Sequence, residues 1–397
     1  MTGPVDHDAV RRRVAELEPE LIELRRRLHR HPEPSWAEHR TTGALVDRLE
    51  AAGLHPQIPA GGTGVICDIG ESGPLVAIRA DIDALRLPDL KTVEYRSEVP
   101  GICHACGHDV HTAAALGAAL AAADQLQAAV RPGRVRLIMQ PAEESVPGGA
   151  SFLAEAGAMS GVAAIFALHC DPGLDVGSLG VSAGPITSAA DQVVIKLKGA
   201  GGHTARPQST ADLVFIASRV VLDLTTGLNR LSDPRDGVNL TFGSIHAGDA
   251  ANVIPNEATI LGSLRATGRP SWEAARTIIP ELLAAIVEPL GATWELDHRI
   301  GAPPIVNDGW AVAFVERSGR AVVGPAGVGP TRQSTGGEDF SWYLDHAPGA
   351  YFRLGVRAAG APTVDIHAGN FDVDESAIAL GARMLAGTAL EALADLA

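Results

Sequence analysis

Apolar positions Leu21, Leu24 and Leu28 recur at helical spacing just after Pro19, a residue suited to a first helical turn. The pattern predicts a helix that opens there and stops before Pro32. Short apolar runs then alternate with a helical stretch: Leu75 to Ala80, the alanine-rich 113–123, Val135 to Met139, and Ala163 to Leu168. That alternation predicts an α/β fold with a mixed, mostly parallel sheet. From residue 188 the rhythm changes. Val193, Ile195 and Leu197 alternate as a strand, and Leu213, Ile216, Val220 and Leu224 follow helical spacing. Strands over 238–245 and 258–265, a helix from Ser271 and a strand over 293–298 complete a β-α-β-β-α-β order, that of a ferredoxin-like unit. Because α/β character resumes after Pro303, this unit is expected as an insertion. The domain plan is 1–187, 188–300 and 301–397, the first and last forming one domain.

Composition narrows the function. Hydrophobic residues make up 46% and charged residues 20% of 397 positions, which is enough to build two cores and leaves no tract biased toward disorder. A formal net charge of −15 argues against nucleic-acid and anionic-membrane partners, since phosphate is bound by clustered cations. No apolar run is expected to approach the length that spans a bilayer, and the N-terminus is polar, so a cytoplasmic location is expected. Four cysteines in a chain this long do not form a disulfide framework, and Cys103 and Cys106 lie in a histidine-rich stretch.

The polar residues with chemistry fall at the ends of the predicted strands: Asp81 and Asp83 after one, Glu143 and Glu144 after the next, His169 after the third. Ligand sites of α/β sheets lie at strand carboxyl ends. The segment His104-Ala-Cys-Gly-His-Asp-Val-His111 packs a thiol, three imidazoles and a carboxylate into eight residues. Cys106 and His108, joined by Gly107, suit a zinc-like ion. His104 and His111 fit either a supporting or a structural role, and His29 and His31 fit a helix C-terminus. Adjacent carboxylates at a loop tip repel unless a cation accepts them. One of Glu143 and Glu144 can ligate while the other takes a proton from the attacking water. With His169 and His367, the set Cys106, His108, Glu144, His169 and His367 suffices for two metals that share a bridge.

Along nearly its whole length the chain resembles the aminoacylase and carboxypeptidase-type dinuclear metallohydrolases, in the amidohydrolase branch with hippurate and auxin-conjugate hydrolases. The resemblance rests on Leu28-His-Arg-His-Pro-Glu33, Arg79-Ala-Asp-Ile-Asp-Ala-Leu85, His104-Ala-Cys-Gly-His-Asp109, Gln140-Pro-Ala-Glu-Glu144, Gly201-Gly-His-Thr-Ala-Arg-Pro207, Asn252-Val-Ile-Pro255 and Gly337-Glu-Asp-Phe340. It implies a zinc-peptidase-like catalytic domain interrupted by a dimerisation domain, and two divalent ions per subunit, zinc, manganese, cobalt or nickel. The ligands it implies are Cys106, His108, Glu144, His169 and His367, with Cys106 where distant relatives use a bridging aspartate. Glu143 is then the general base and Asp83 orients a ligand. The resemblance also implies a homodimer through the insertion, His203 and Asn252 reaching the partner's active site, His203 polarising the scissile carbonyl, and Arg265 holding a substrate carboxylate. Asp365-Ile-His-Ala-Gly-Asn370 departs from the His-Ser-Pro that relatives carry there. The function expected is hydrolysis of N-acyl amino acids. A dipeptidase or carboxypeptidase would share the same metals, and a silent sensor would keep the fold alone.

Overall fold

The computed structural model of the chain describes residues 5–128 and 132–396, which divide into two compact units. Unit 1 runs to Gly184 and resumes over Val306–Arg332 and from Trp342; unit 2 is Pro185–Ile305 with Gln333–Ser341. The plan drawn from sequence places 333–341 in the catalytic domain. Nothing in its composition marks it, but the Ser188 N–H donates to the Gly336 carbonyl at 3.1 Å, and only a glycine at 337 leaves room for the Ala190 methyl.

Unit 1 opens with α1 (His7–Arg30), capped by Asp6, which accepts from the Ala9 N–H at 2.8 Å. The helix starts well before Pro19, which lies inside it, because Val10, Val14 and Leu17 extend the buried stripe of Leu21, Leu24 and Leu28. Continuity of the buried face outweighs the single amide that proline removes. Then come α2 (His39–Ala51), β1 (Val65–Ile69), β2 (Leu75–Asp81), α3 (His108–Ala128), β3 (Arg134–Gln140), α4 (Gly149–Glu155), β4 (Val162–Asp175) and β5 (Leu179–Gly180).

Unit 2 holds β6 (Ala189–Lys198), α5 (Leu213–Arg219), α6 (Thr225–Leu231), β7 (Asn239–His246), β8 (Glu257–Ala266), α7 (Arg269–Val287) and β9 (Thr293–Ala302). Its antiparallel sheet has the order β9-β6-β8-β7, the ferredoxin-like arrangement. Val193, Ile195 and Leu197 point from β6 toward a helical layer whose Trp272, Ile279, Leu283 and Val287 are fully buried.

The chain returns to unit 1 with α8 (Gly309–Val322), β10 (Val328–Gly329), β11 (Gly349–Arg357) and α9 (Ser376–Leu396). The seven-stranded sheet runs β1-β3-β2-β4-β11-β5-β10. Its centre, β3-β2-β4-β11, is parallel, and β1 and β5 pair antiparallel with β3 and β11. The α1, α3 and α9 helices pack together, closely enough that a methyl at Gly117 would strike Leu21. By length and composition α9 is apolar enough to cross a membrane, contrary to the expectation that no apolar run reaches that length, but most of it is buried in this core.

One buried ion-pair network ties α1 to the start of α3. Arg25, 1% exposed, donates to Asp109 at 2.8 Å and Asp372 at 3.0 Å, pairs with Glu375 at 3.3 Å, and its guanidinium lies over the Tyr95 ring. Asp109, fully buried, also meets His29 Nδ1 at 2.7 Å. Removing one partner of such a pair leaves a charge without compensation. Arg25→Met is therefore expected to destabilise unit 1 by about 3–5 kcal/mol. Urea unfolding of the metal-free protein measures this, and a loss under about 1 kcal/mol would show the network to be dispensable.

Candidate metal centre

Parallel strands place their carboxyl ends together, and the unit 1 centre is assembled there. β2 ends at Asp81 and continues into Asp83; β3 ends at Gln140, just before Glu143 and Glu144; β4 carries His169 past the last residue it pairs with β2. Cys106 and His108 arrive from the turn into α3. Gly107 there has φ +89°, and any side chain on it would meet Cys170 Sγ at 2.8 Å, so only glycine permits the turn. His367 joins from the loop before α9, its N–H donating to the Ala105 carbonyl at 2.7 Å, which staples the two loops together.

Two of the trios that the donor atoms form share one sulfur: Cys106, His108 and His169, and Cys106, Glu144 and His367, all atoms of a trio within 4.8 Å of one another; His108, Glu143 and Glu144 form a third at the same place. Cys106 Sγ lies 3.3 Å from His169 Nε2, and Glu144 Oε1 lies 3.2 Å from His367 Nε2. Ligands bound at about 2.0–2.3 Å to one tetrahedral ion stand roughly 3.3–3.8 Å apart, so these spacings lie within about 0.1 Å of the short end of that range. Glu143 reaches the same region, with Oε2 4.0 Å from His108 Nε2.

Hydrogen bonds fix which nitrogen each imidazole presents. His108 Nδ1 donates to the Asp83 carbonyl at 3.0 Å and lies 3.2 Å from Asp83 Oδ1. His169 Nδ1 donates to the Cys170 carbonyl at 2.7 Å. Both rings thus turn Nε2 toward the cluster, the usual way in which outer groups orient metal ligands. His111 is turned the other way. Its Nδ1 meets Asp81 Oδ1 at 2.6 Å and its Nε2 accepts from the Cys170 N–H at 2.9 Å, so both nitrogens are used and its role is to hold β4 in place.

The electrostatics favour a cation. His108 Nε2 is buried without a hydrogen-bond partner. Burial alone would lower the His108 pKa, but Asp81 and Asp83 outweigh it and push the ring up to about 10. The same carboxylates would be neutralised by a divalent ion. Burial, aided by His111, keeps His169 neutral and ready to ligate. Burial would raise Asp81, but His108, His111 and Arg79 hold it well below the carboxylate range. The soft thiolate, imidazole and carboxylate donors, the spacing and the unpartnered His108 nitrogen all fit divalent metal.

His203, Asn252 and Arg265 lie in unit 2. His203 and Val253 are partners in a two-stranded ribbon, and the Thr204 N–H donates to the Asn252 carbonyl at 3.2 Å, which brings His203 and Asn252 together. The Ala205 N–H donates to His203 Nδ1 at 3.0 Å. Beside it is a cleft of about 470 Å³ lined by Gly201, Gly202, His203, Arg206 and Thr210. Arg265 is on β8, opposite Ala190 of β6 and Asn239 of β7.

Sequence reasoning missed Glu38, Ser35 and the Asp81–His111 pair. Ser35 donates to Asp83 Oδ2 at 2.7 Å, an oxygen that also accepts from the Glu144 N–H at 3.0 Å. The available signal was Asp81 two residues before Asp83, which places both carboxylates on one side of the strand end.

Comparison with known proteins agrees with this geometry. Residues 77–391 match the family described as Peptidase family M20/M25/M40. The chain is 36% identical over 372 residues to the N-acetyl-L-cysteine deacetylase of Bacillus subtilis, covering 91% of this chain and 85% of that one. It is 43% identical over 369 residues to a Rhodococcus jostii protein named putative glutamate–cysteine ligase 2-3, covering 93% of this chain but spanning 46% of that relative's length. The crystal structure of a dinuclear metal-binding peptidase of the same family from Bacillus subtilis matches with a TM-score of 0.82 at 32% identity, over 96% of this chain and 99% of that one. With the family match covering most of the chain and close relatives along nearly all of it, the chain belongs to peptidase family M20/M25/M40.

Proposed function

We propose that this chain is a metal-dependent amidohydrolase that splits the N-acyl amide bond of N-acyl amino acids. The observation that carries the reading is the pair of donor trios sharing Cys106, with the Glu143 carboxylate at their edge. The deacetylase name of the Bacillus subtilis relative supports the acyl-amide substrate class. Two divalent ions, held by Cys106, His108, Glu144, His169 and His367, would supply Lewis acidity and make a water acidic near neutral pH. Zinc, manganese, cobalt and nickel all suit the donor set.

Glu143 takes the proton of the attacking water and returns it to the leaving amine, as general base and then general acid. Asp83 keeps His108 aimed and fixes the Glu144 backbone. His203 acts as an oxyanion donor. With the Ala205 N–H on Nδ1, the proton sits on Nε2, so a neutral ring can donate to a developing negative oxygen. Asn252 assists from the facing strand, and Arg265 pairs with the substrate carboxylate.

The assembly we propose is a cytoplasmic homodimer joined through unit 2, in which His203 and Asn252 serve the partner's centre. β7 is an edge of the unit 2 sheet and carries Ile245, 48% exposed, while Leu261 on β8 is 41% exposed. An exposed sheet edge is a template for pairing with a second copy. The four cysteines are free thiols, in keeping with a reducing compartment.

A panel of N-acetyl, N-benzoyl and N-carbamoyl amino acids and dipeptides, run with each metal, tests the reading. Turnover of N-acyl amino acids is expected. Dipeptides alone being cleaved would move the assignment to a peptidase, and no turnover with two ions bound per subunit would favour a sensor.

A further inference from the structure

Among the described residues, three that are not glycine have positive φ: Trp36 at 65°, Ala142 at 56° and His367 at 61°. Left-handed backbone costs a non-glycine residue about 1–2 kcal/mol, and such strain gathers at functional sites. His367 is a candidate ligand. The other two hang on one atom. Glu38 Oε1 accepts the Trp36 N–H at 3.0 Å and the Ala142 N–H at 2.9 Å.

Glu38 stands at the N-cap of α2 yet makes no capping hydrogen bond to that helix. Glu33 does that work instead, its two oxygens accepting the N–H groups of Arg40 at 3.0 Å and Thr41 at 2.8 Å. The Glu38 side chain, fully buried, is thereby free to face the loop that leaves β3. Ala142 is the neck of that loop. Its N–H goes to Glu38, and its carbonyl accepts the Gly149 N–H at 3.0 Å, where Gly149 has no room for a side chain against the Pro141 carbonyl.

The residue after Ala142 is Glu143, and the next N–H, that of Glu144, is held by Asp83 Oδ2. Glu143 is therefore bracketed, with a buried carboxylate gripping the amide on each side. The same pair of carboxylates grips the neighbouring strand of chain at Ser35 and Trp36. We propose that Glu38 is a positioning residue that holds Ala142 in its left-handed conformation and so sets the aim of Glu143. This rests on the role of Glu143 given above. What matters is a hydrogen-bond acceptor at the reach of a glutamate; the negative charge is secondary.

The test compares Glu38→Leu, Glu38→Asp and Glu38→Gln, with Leu45→Ala as a control that empties core space under α2 without touching either amide. Misplacing a reacting group by about 1 Å can cost up to about a hundredfold in rate. Leu, which lacks an acceptor, and Asp, which withdraws it by a methylene, should each lower kcat by about tenfold or more per metal-loaded protein, with KM little changed. Gln should retain most of the rate, because its carbonyl oxygen accepts both amides. Leu45→Ala should lower Tm and leave kcat unchanged. In a crystal structure of metal-free Glu38→Asp, Ala142 should leave positive φ. The proposal is overturned if Leu and Asp lose less than about tenfold, if Gln loses as much as Asp, or if Ala142 keeps its conformation. Should Glu38→Leu fail to fold, the Asp and Gln pair decides. If the parent protein cleaves no N-acyl amino acid, the functional reading falls by itself, and the Ala142 conformation still tests this one.

Discussion

Glu143→Gln is expected to keep its metal and lose about a thousandfold in kcat, since a positioned general base contributes roughly 10²–10⁴. Glutamine keeps the size and the hydrogen-bonding reach of the side chain but cannot take a proton at neutral pH. Glu143 is absent from both trios built on Cys106, and the trio it forms with His108 and Glu144 keeps those two donors, so metal content should match that of the parent. A near-normal rate would remove Glu143 from the proton transfer, and loss of metal would make it a ligand. The same variant tests the dimer. If His203 serves the partner's centre, a subunit carrying Glu143→Gln and one carrying His203→Ala complement each other, because one centre of the mixed dimer then has both residues intact. Random mixing should restore about a quarter of the parent activity. No recovery in verified mixed dimers would return His203 to its own subunit or remove it from catalysis.

The ferredoxin-like insertion was legible because its strands alternate and its helices repeat at 3.6 residues, and the observed strand order agrees. The parallel centre of unit 1 was legible for a related reason: short apolar runs punctuated by polar residues leave little else to build. The first helix was read too short. Val10, Val14 and Leu17 carry the missing turns, and the buried stripe runs through Pro19 where a proline suggests a start. The donor set could be gathered from the sequence because thiol, imidazole and paired carboxylates are costly to place together without a cation.

The supporting residues were much less legible. His29 looked like a histidine at a helix C-terminus, yet it is fully buried and bonded to Asp109. His104 is buried with neither ring nitrogen hydrogen-bonded, and burial pulls its pKa down to about 3, so it sits as a neutral ring in the core. Arg25 and Glu38 are charged residues in stretches rich in charge. Their pattern is that of an exposed face, and only tertiary packing buries them. Periodicity reports which face is apolar; it does not report which of many carboxylates the fold encloses.

Cys106→Ala is expected to have the widest effect of any single change at the centre, because it removes the one atom common to both trios. The variant should fold, since alanine fits where Cys106 is nearly buried and the turn depends on Gly107. After dialysis, elemental analysis should find about two ions per subunit in the parent and fewer than about one in Cys106→Ala. His367→Ala, which strips one trio only, should keep about one. The loss should also appear as stability. Ions that bind only the folded chain raise its stability by about 2.7 kcal/mol at a hundredfold excess over Kd, so the parent's Tm should fall on chelation while that of Cys106→Ala should not move. Cys106→Asp restores an anionic donor that can serve two ions, and should recover metal binding and part of the rate. If Cys106→Ala holds two ions with the parent's affinity, the sulfur does not join the two sites, and the dinuclear reading of these loops fails.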